Sequence, residues 1–229
     1  MKELSIKEFI EQAHKELSLI ENMYGEVIYS SYETFKKGKY YFLGLNPGGE
    51  GFISIKDSLD KFENHIENDF FDASWNSGSH DYDKGIHPLQ QRTQYLFENV
   101  LHYDLRNVFS TNLIFKTTRD SETLNYGLAG LCWTVHQLAL SVVQPEIIIA
   151  CGNGNGNSAF YFISDLYAGG QYEQFELKNT FSVKTSNCII QGRPTLLIGI
   201  PHLSLFEIRN NEDFLSIMNK ILEKHNENL

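Results

Sequence analysis

The chain has few of the residues that mark disulfide-rich or iron–sulfur proteins. Only three of its 229 residues are cysteine, Cys132, Cys151 and Cys188, and two of them lie in apolar runs. An iron–sulfur cluster needs four cysteine ligands, and such widely spaced cysteines give no disulfide framework. The sequence therefore predicts three buried, free thiols.

Long apolar segments are also missing. No stretch is apolar enough to span a bilayer, and the N-terminal segment is charged and amphipathic, unlike a signal peptide. We therefore expect a cytoplasmic protein that makes no membrane contact. With 41% hydrophobic residues, 13% aromatic residues and no internal repeat, residues 1–229 are expected to form a single domain with a sizeable core.

Positive charge is scarce. Lys and Arg number 19 against 29 Asp and Glu, which gives a net charge of -10. Because Lys and Arg supply most of the non-specific affinity for nucleic acid, this balance argues against a general electrostatic attraction to DNA. A local basic strip of Lys116, Arg119, Arg193 and Arg209 is the alternative, with acidic residues segregated at 57–83.

Buried strands that alternate with helices indicate an α/β fold. A capping-box pattern from Ser5 to Glu8 opens the first helix. Strands are predicted at 40–45, 107–115, 146–151 and 195–200, a hairpin within 172–190, and further helices from 88, at 127–143 and at about 212–224. This order predicts a three-layer α/β/α sandwich with a mainly parallel central sheet.

The segment 52–87 is polar and aromatic and shows no clear periodicity. A connection of this length inside a domain is usually functional or mobile, so we interpret it as an insertion. His80 and His87 occur there with Asp81 and Asp83, but their spacing matches no strong ligand pattern. Neither a metal nor a cofactor is predicted.

The most informative segment is 40–51, in which an apolar strand runs directly into Asn-Pro-Gly-Gly at 46–49. Pro47 holds Asn46 in an extended conformation, and Gly48 and Gly49 remove side chains that would block a ligand. Asn46 is therefore expected in an open mouth at the end of a strand. An Asx turn is the alternative role for an Asn before Pro.

Three other predicted strands end in a polar or glycine-rich element, at Asn112, Gly152 and His202. Ligands of parallel α/β sheets bind beyond the carboxyl ends of the strands. We therefore expect these residues to converge with Asn46 on one crevice. For Asn112, a structural hydrogen-bond network with Thr111 or a neighbouring strand is an equal alternative.

Gly-Leu-Asn-Pro-Gly at 44–48 and His-Leu-Ser-Leu at 202–205 resemble the two signature motifs of the uracil-DNA glycosylase superfamily, in particular its single-strand-selective and mismatch-specific branches. Family members usually read His-Pro-Ser where this chain has His-Leu-Ser. The resemblance implies a uracil-DNA-glycosylase-like fold and DNA binding, and we expect a monomer. It also implies that the protein flips out a pyrimidine nucleotide and hydrolyses its N-glycosidic bond, which leaves an abasic site.

By this resemblance, Asn46 holds the attacking water, Asn112 reads the Watson–Crick edge of the base and His202 stabilises the leaving base as an anion. An asparagine cannot accept the proton of the water, so a late, oxocarbenium-like transition state and slow turnover are implied. Gly48 stands where the uracil-specific branch has a tyrosine that excludes C5-substituted bases. Bulkier pyrimidines are therefore expected to fit.

The resemblance also assigns contacts with the DNA strand. Ser204 would bind a phosphate, and Leu205 or Phe206 would wedge into the duplex where the nucleotide leaves. Phe52 is the aromatic residue near the first motif that is a candidate to stack on the extruded base.

The glycine-rich loop at 152–158 is expected to form a tight turn, with Gly152 and Asn153 touching a DNA phosphate. Within the glycosylase reading, ordinary uracil repair and antiviral removal of hydroxymethylated or glucosylated cytosine from phage DNA stay open. The alternative from another class is a catalytically inactive protein of this fold that binds nucleotides or other proteins. The acidic composition favours that alternative.

Overall fold

The computed structural model describes residues 4–78, 80–120, 123–154 and 156–227. Ser79, in the predicted insertion, and Asn155, in the glycine-rich loop, lie outside the described residues. The α-helices are Ile6–Leu17 (α1), Ile55–Phe62 (α2), Asp69–Asp72 (α3), Pro88–Tyr95 (α4), Leu128–Val143 (α5), Ala159–Ala168 (α6) and Glu212–Asn226 (α7).

The strands are Tyr40–Gly44 (β1), Asn76–Ser77 (β2), His80–Asp81 (β3), Phe109–Asn112 (β4), Ile147–Cys151 (β5), Glu173–Glu176 (β6), Ser182–Ile190 (β7) and Arg193–Ile200 (β8). Six of them form the central sheet in the order β4-β1-β5-β8-β7-β6. The first four strands of this order are parallel, and β7 and β6 are antiparallel additions. The predicted α/β fold with a mainly parallel sheet is confirmed.

The register of the parallel strands makes their carboxyl ends level. Gly44 pairs with Asn112 across β1 and β4, and Leu43 pairs with Ala150 across β1 and β5. Cys151, the last residue of β5, pairs with Ile200, the last residue of β8. The four strands therefore end along one line, which we call the carboxyl edge.

Alternating side chains divide the core between the two faces of the sheet. Tyr41 and Leu43 of β1 face the cluster that includes residues of α1, α5 and α6. Tyr40 and Phe42 face the other cluster, which contains residues of α7 and of the π-helical turn Leu96–Val100 that continues α4. Helices thus cover both faces, which is compatible with a three-layer sandwich.

The start of α1 has the predicted capping box. The Ser5 hydroxyl accepts a hydrogen bond from the Glu8 backbone N–H at 3.2 Å, and the Glu8 carboxylate accepts one from the Ser5 N–H at 2.9 Å. All three cysteines are buried and free, as predicted. Among the described residues, no helix combines the length and apolar character needed to cross a bilayer.

The segment 52–87 contains more regular structure than its sequence predicts. Ser54 caps α2, whose buried Ile55, Leu59 and Phe62 follow one another at intervals of four and three residues, the spacing of one helix face. The prediction of no periodicity was wrong here because the apolar stripe has only three large members between polar neighbours. Strands β2 and β3 form a small separate hairpin.

Candidate functional site

The carboxyl edge brings the ends of the predicted site strands together. Asn112 ends β4, Asn46 follows β1 by two residues, and His202 follows β8 by two residues. Neighbouring strands lie about 4.8 Å apart, so the ends of β1 and β8, with β5 between them, are separated by roughly 10 Å. The geometry thus groups the three side chains at one edge rather than on separate surfaces.

The Asn46 carboxamide is held by its nitrogen. Nδ2 donates hydrogen bonds to the Pro47 carbonyl at 2.8 Å and to the Thr118 hydroxyl at 2.9 Å, with a longer one to the Lys116 carbonyl at 3.4 Å. These contacts fix which end of the amide faces outward. The Oδ1 atom has no hydrogen-bond partner among the described residues and remains an acceptor.

The turn that carries Asn46 is open on its other side. A Cβ on Gly48 would meet nothing within 4 Å, and Gly49 adopts a φ of 101°, which favours glycine. Backbone hydrogen bonds from Thr118 to Pro47 and from Gly49 to Thr118, each 3.1 Å, hold the turn. The turn is therefore open to solvent at Gly48.

Asn112, at the end of β4, lies between Tyr29 on one side and Gly44 of β1 on the other. Its Nδ2 donates to the Tyr29 hydroxyl at 3.0 Å, and its Oδ1 occupies the space that a Cβ on Gly44 would fill. Only 9% of Asn112 is exposed, and Oδ1 accepts no hydrogen bond from the described residues. The Asn112 side chain is thus hydrogen-bonded to Tyr29 rather than to Thr111, and it still keeps an unused acceptor.

Near Tyr29 lies an acidic group that the sequence analysis missed. This group is the carboxyl of Glu26, whose charge contributes to raising the pKa of Tyr29. Burial, with the Asp69 carboxylate second, raises the pKa of Glu26 from 4.5 to about 7. The ring of Tyr29 packs against Phe70 and edge-on against Trp75, so the segment 52–87 supports this network.

His202 is a neutral imidazole with a defined tautomer. The Ser204 backbone N–H donates to Nδ1 at 3.2 Å, so Nδ1 carries a lone pair and the proton resides on Nε2. The Ser204 hydroxyl lies 2.6 Å from the same nitrogen and donates to it. Burial lowers the pKa of His202, which keeps the ring uncharged.

The loop that carries His202 is anchored by Arg92, a second residue that the sequence analysis missed. Arg92 Nη1 on α4 donates to the Leu203 carbonyl at 2.6 Å and to the Ser204 carbonyl at 3.0 Å. Gly152 packs against the imidazole, because a Cβ there would lie 3.3 Å from His202 Cδ2. No feature of the α4 sequence distinguishes Arg92 from a surface arginine.

Two residues expected to touch DNA already form hydrogen bonds within the protein. The Asn153 side chain is buried and donates to the Ser182 carbonyl at 2.7 Å and the Gly199 carbonyl at 2.8 Å. The Asn153 backbone carbonyl accepts a hydrogen bond from the buried Lys184 ammonium at 2.9 Å. The Ser204 hydroxyl proton points at His202, so a phosphate contact by either side chain would have to replace existing bonds.

The two candidate wedge residues differ in exposure. Leu205 is 77% exposed, whereas Phe206 is 6% exposed and stacks with Phe181 and Phe214 in the core. Of the two, Leu205 alone projects into solvent. Phe52 is 92% exposed, which leaves its ring accessible.

The four residues suggested as a basic strip do not form one. Arg193 starts β8 and therefore lies at the opposite end of that strand from His202, about 23 Å away at 3.3 Å per residue. Arg119 is paired with Glu50, and Arg209 with Glu207. The prediction of a basic strip is wrong, because β8 places Arg193 at the end of the strand opposite to His202.

Two cavities are formed away from the imidazole. One of about 640 Å³ lies among β6, β7 and α7 beside Leu196, near the amino end of β8. The other, of about 300 Å³, is lined by Glu26, Trp75 and neighbouring residues. The larger cavity is therefore far from the carboxyl edge, and the smaller one adjoins the Tyr29 network.

Compared with known proteins, the chain matches no family model and no curated sequence. What can be inferred about its function therefore comes from the residues at the carboxyl edge.

Proposed function

We propose that the chain is a monofunctional DNA glycosylase that hydrolyses the N-glycosidic bond of a flipped-out pyrimidine nucleotide and leaves an abasic site. The observation that carries this proposal is that three side chains at one edge each keep a single unused hydrogen-bonding atom. These atoms are Oδ1 of Asn46, Oδ1 of Asn112 and the Nε2–H of His202. The roughly 10 Å between the ends of β1 and β8, less the reach of two side chains, suits a planar base.

Asn46 acts on the water. With Nδ2 held by Thr118 and Pro47, the free Oδ1 accepts a hydrogen bond from the water that attacks the anomeric carbon. A carboxamide cannot take the proton, so the glycosidic bond breaks first and the water adds to an oxocarbenium-like sugar. The electron pair of that bond leaves with the base, and the proton released by the water ends on the departed base.

His202 acts on the leaving group. A neutral imidazole that donates from Nε2 stabilises the negative charge that develops on the base, and Ser204 fixes the donor by occupying Nδ1. Because burial lowers the pKa of His202, the ring stays neutral at pH 7, and activity is not expected to require a charged histidine.

The open space at Gly48 determines which bases the proposed site accepts. A glycine at position 48 leaves space beside the base, so C5-substituted pyrimidines are admitted together with uracil. Excision of hydroxymethylated or glucosylated cytosine from phage DNA is the antiviral form of the same activity.

The experiment uses synthetic oligonucleotides that carry uracil, hydroxymethylcytosine or glucosylated hydroxymethylcytosine, single-stranded and in duplexes. After incubation, hot alkali cleaves abasic sites, and the products are resolved by length. We expect scission with the intact protein, loss with Asn46→Ala, and no change with the control Asn64→Ala, which removes an exposed carboxamide elsewhere. No scission on any oligonucleotide, or full scission by Asn46→Ala, would sink the proposal.

A second candidate is a catalytically inactive protein of this fold that binds nucleotides or other proteins. The ion pairs of Arg119 with Glu50 and of Arg209 with Glu207 favour it, because paired arginines offer less charge to the phosphates of a DNA strand. No retention of a labelled uracil oligonucleotide on the protein, together with no alkali-labile product after prolonged incubation, would select this candidate.

A further inference from the structure

The cavity among β6, β7 and α7 has the size of a small-molecule site. Its volume of about 640 Å³ lies within the range of roughly 300–1,000 Å³ that is usual for such sites. Leu196 of β8 lines it and lies roughly 20 Å from His202, at about 3.3 Å per residue. The cavity is therefore separate from the carboxyl edge.

The edge of the sheet leaves this cavity accessible. Strand β6 pairs with residues 182–185 of β7, so the outer edge of β7 at residues 186–190 has no neighbouring strand among the described residues. Glu173, the first residue of β6, and Asn187 of β7 both line the cavity and are exposed. A small molecule can therefore reach the cavity from solvent without displacing a strand.

One buried polar group that lines the cavity has no partner within the described chain. Thr185 of β7 is 8% exposed, and its hydroxyl makes no hydrogen bond with the described residues. Buried hydroxyls are normally hydrogen-bonded, because loss of water without a replacement is unfavourable. The Thr185 hydroxyl, which can both donate and accept, is thus available to an occupant of the cavity.

Two carboxamides add to this hydrogen-bonding capacity. Asn187 lies two residues after Thr185 and therefore on the same face of β7, and Gln171 lines the cavity from the turn before β6. Neither side chain makes a hydrogen bond with the described residues. A carboxamide presents a donor and an acceptor side by side, which is the pattern that pairs with N6 and N7 of adenine.

The remaining wall is apolar and includes an aromatic ring. Phe175 of β6, Leu196 of β8 and Ile221 of α7 line the cavity together. An aromatic side chain offers a flat face on which any nucleobase can stack. The cavity thus combines a surface for a planar ring with polar groups for the edge of that ring.

The charge beside the cavity is positive, in contrast to the net charge of -10 of the whole chain. Lys220 and Lys224 line it from α7, one helical turn apart. Lys224 pairs with Glu173 at 3.3 Å, whereas Lys220 forms no ion pair with the described residues. Two ammonium groups against one carboxylate favour an occupant with an anionic group, such as a phosphate.

We propose that this cavity binds a mononucleotide. The base stacks on Phe175 and hydrogen-bonds Thr185 and the carboxamides of Asn187 and Gln171, and the phosphate contacts Lys220. The inference is independent of the proposed glycosylase function, because no residue of the carboxyl edge takes part.

Calorimetric titration of the full chain with AMP, adenosine or inorganic phosphate tests the site. We expect AMP to bind about tenfold more tightly than adenosine, because adenosine lacks the charged group that accepts from Lys220. Lys220→Ala should abolish that difference, and the control Lys7→Ala, which removes an exposed ammonium on α1, should retain it. Inorganic phosphate that binds as tightly as AMP would reveal a simple electrostatic contact and would overturn the inference.

Thr185→Val tests the buried part of the site. Valine keeps the shape and the strand propensity of threonine and removes only the hydroxyl. The affinities for AMP and for adenosine should therefore both fall, by about fivefold. The urea midpoint of the free protein should not fall, because the hydroxyl has no partner within the described chain to lose. Affinities that are unchanged in Thr185→Val and Lys220→Ala, or no binding of AMP at all, would refute the inference.

Asn46→Ala separates this cavity from the carboxyl edge. AMP should bind this variant as it binds the intact protein. Binding that is lost in Asn46→Ala and survives in Lys220→Ala would place the nucleotide at the carboxyl edge and end the inference. Scission of uracil oligonucleotides without AMP binding removes the inference and leaves the glycosylase proposal, and AMP binding without scission does the reverse.

Discussion

Two regions of the molecule each contain a histidine held by hydrogen bonds, one buried and one half-buried, and the difference between them distinguishes a structural histidine from the proposed catalytic one. His136, between α5 and the sheet, receives a hydrogen bond from the Tyr41 hydroxyl at 2.9 Å and donates from Nε2 to the Leu113 carbonyl at 3.2 Å. Burial lowers its pKa to about 4. At the carboxyl edge, burial likewise lowers the pKa of His202, but its Nε2 has no partner among the described residues.

The carboxamides do not repeat this contrast. Asn153, beneath the glycine-rich loop, gives its Nδ2 to two carbonyls of the sheet and is buried. Asn46 and Asn112 are also held by Nδ2, and none of the three Oδ1 atoms has a hydrogen-bond partner among the described residues. Burial, a shifted pKa or an unused acceptor therefore does not by itself identify a functional group in this protein.

The two histidines should respond in opposite ways to substitution. His202→Ala should lower excision by on the order of 10²–10³-fold, since it removes a donor aimed at the developing charge, and leave thermal stability nearly unchanged. His136→Phe should cost about 2–4 kcal/mol of stability, because the Tyr41 hydroxyl and the Leu113 carbonyl lose their partner in the core. Urea unfolding and alkali-scission rates on both variants measure the two effects. Equal losses of stability would contradict the distinction.

A matched pair of glycine substitutions sharpens the role of the carboxyl edge. A Cβ at position 44 would collide with Asn112 Oδ1, so Gly44→Ala should displace the carboxamide and lower uracil excision by about 10–100-fold. Gly130→Ala adds the same methyl group to an exposed position of α5 where nothing lies within 4 Å. That control should retain activity and gain up to about 1 kcal/mol of stability. Unchanged excision by Gly44→Ala would remove Asn112 from the site.

These contacts show what the sequence alone could predict. Local signals were sufficient for the α1 capping box, for the apolar strands and for the turn at Asn46, because each depends on neighbours in the chain. The collision between Gly44 and Asn112 depends on strand register, and the contact of Arg92 with the His202 loop joins residues 111 positions apart. Neither has a local signature, and strand direction likewise excluded Arg193 from the proposed basic strip.

The Glu26 carboxyl gives a pH-dependent test of stability for an ionisable group in the interior. In the folded protein this carboxyl stays protonated up to about pH 7, whereas in the unfolded chain it loses its proton near pH 4.5. The folded state therefore binds more protons between these values, and its stability falls as pH rises through them. Glu26→Gln cannot ionise and should be more stable than the intact protein by about 1–2 kcal/mol at pH 8, with little difference at pH 4.5. Urea unfolding at both pH values checks this, with Glu33→Gln as the control, and a pH-independent effect would refute it.

The smallest expected effect on stability is that of Leu205→Ala, and its neighbour Phe206 gives the contrast. Leu205 projects into solvent, so Leu205→Ala should change stability by less than about 0.5 kcal/mol. If Leu205 fills the gap that the extruded nucleotide leaves, excision from a duplex should fall by about tenfold, and excision from a single strand should not change. Phe206→Ala instead empties a buried site between Phe181 and Phe214 and should cost about 3–5 kcal/mol of stability. Equal losses by Leu205→Ala on both substrates would mean that the exposed leucine contacts the strand without acting as a wedge.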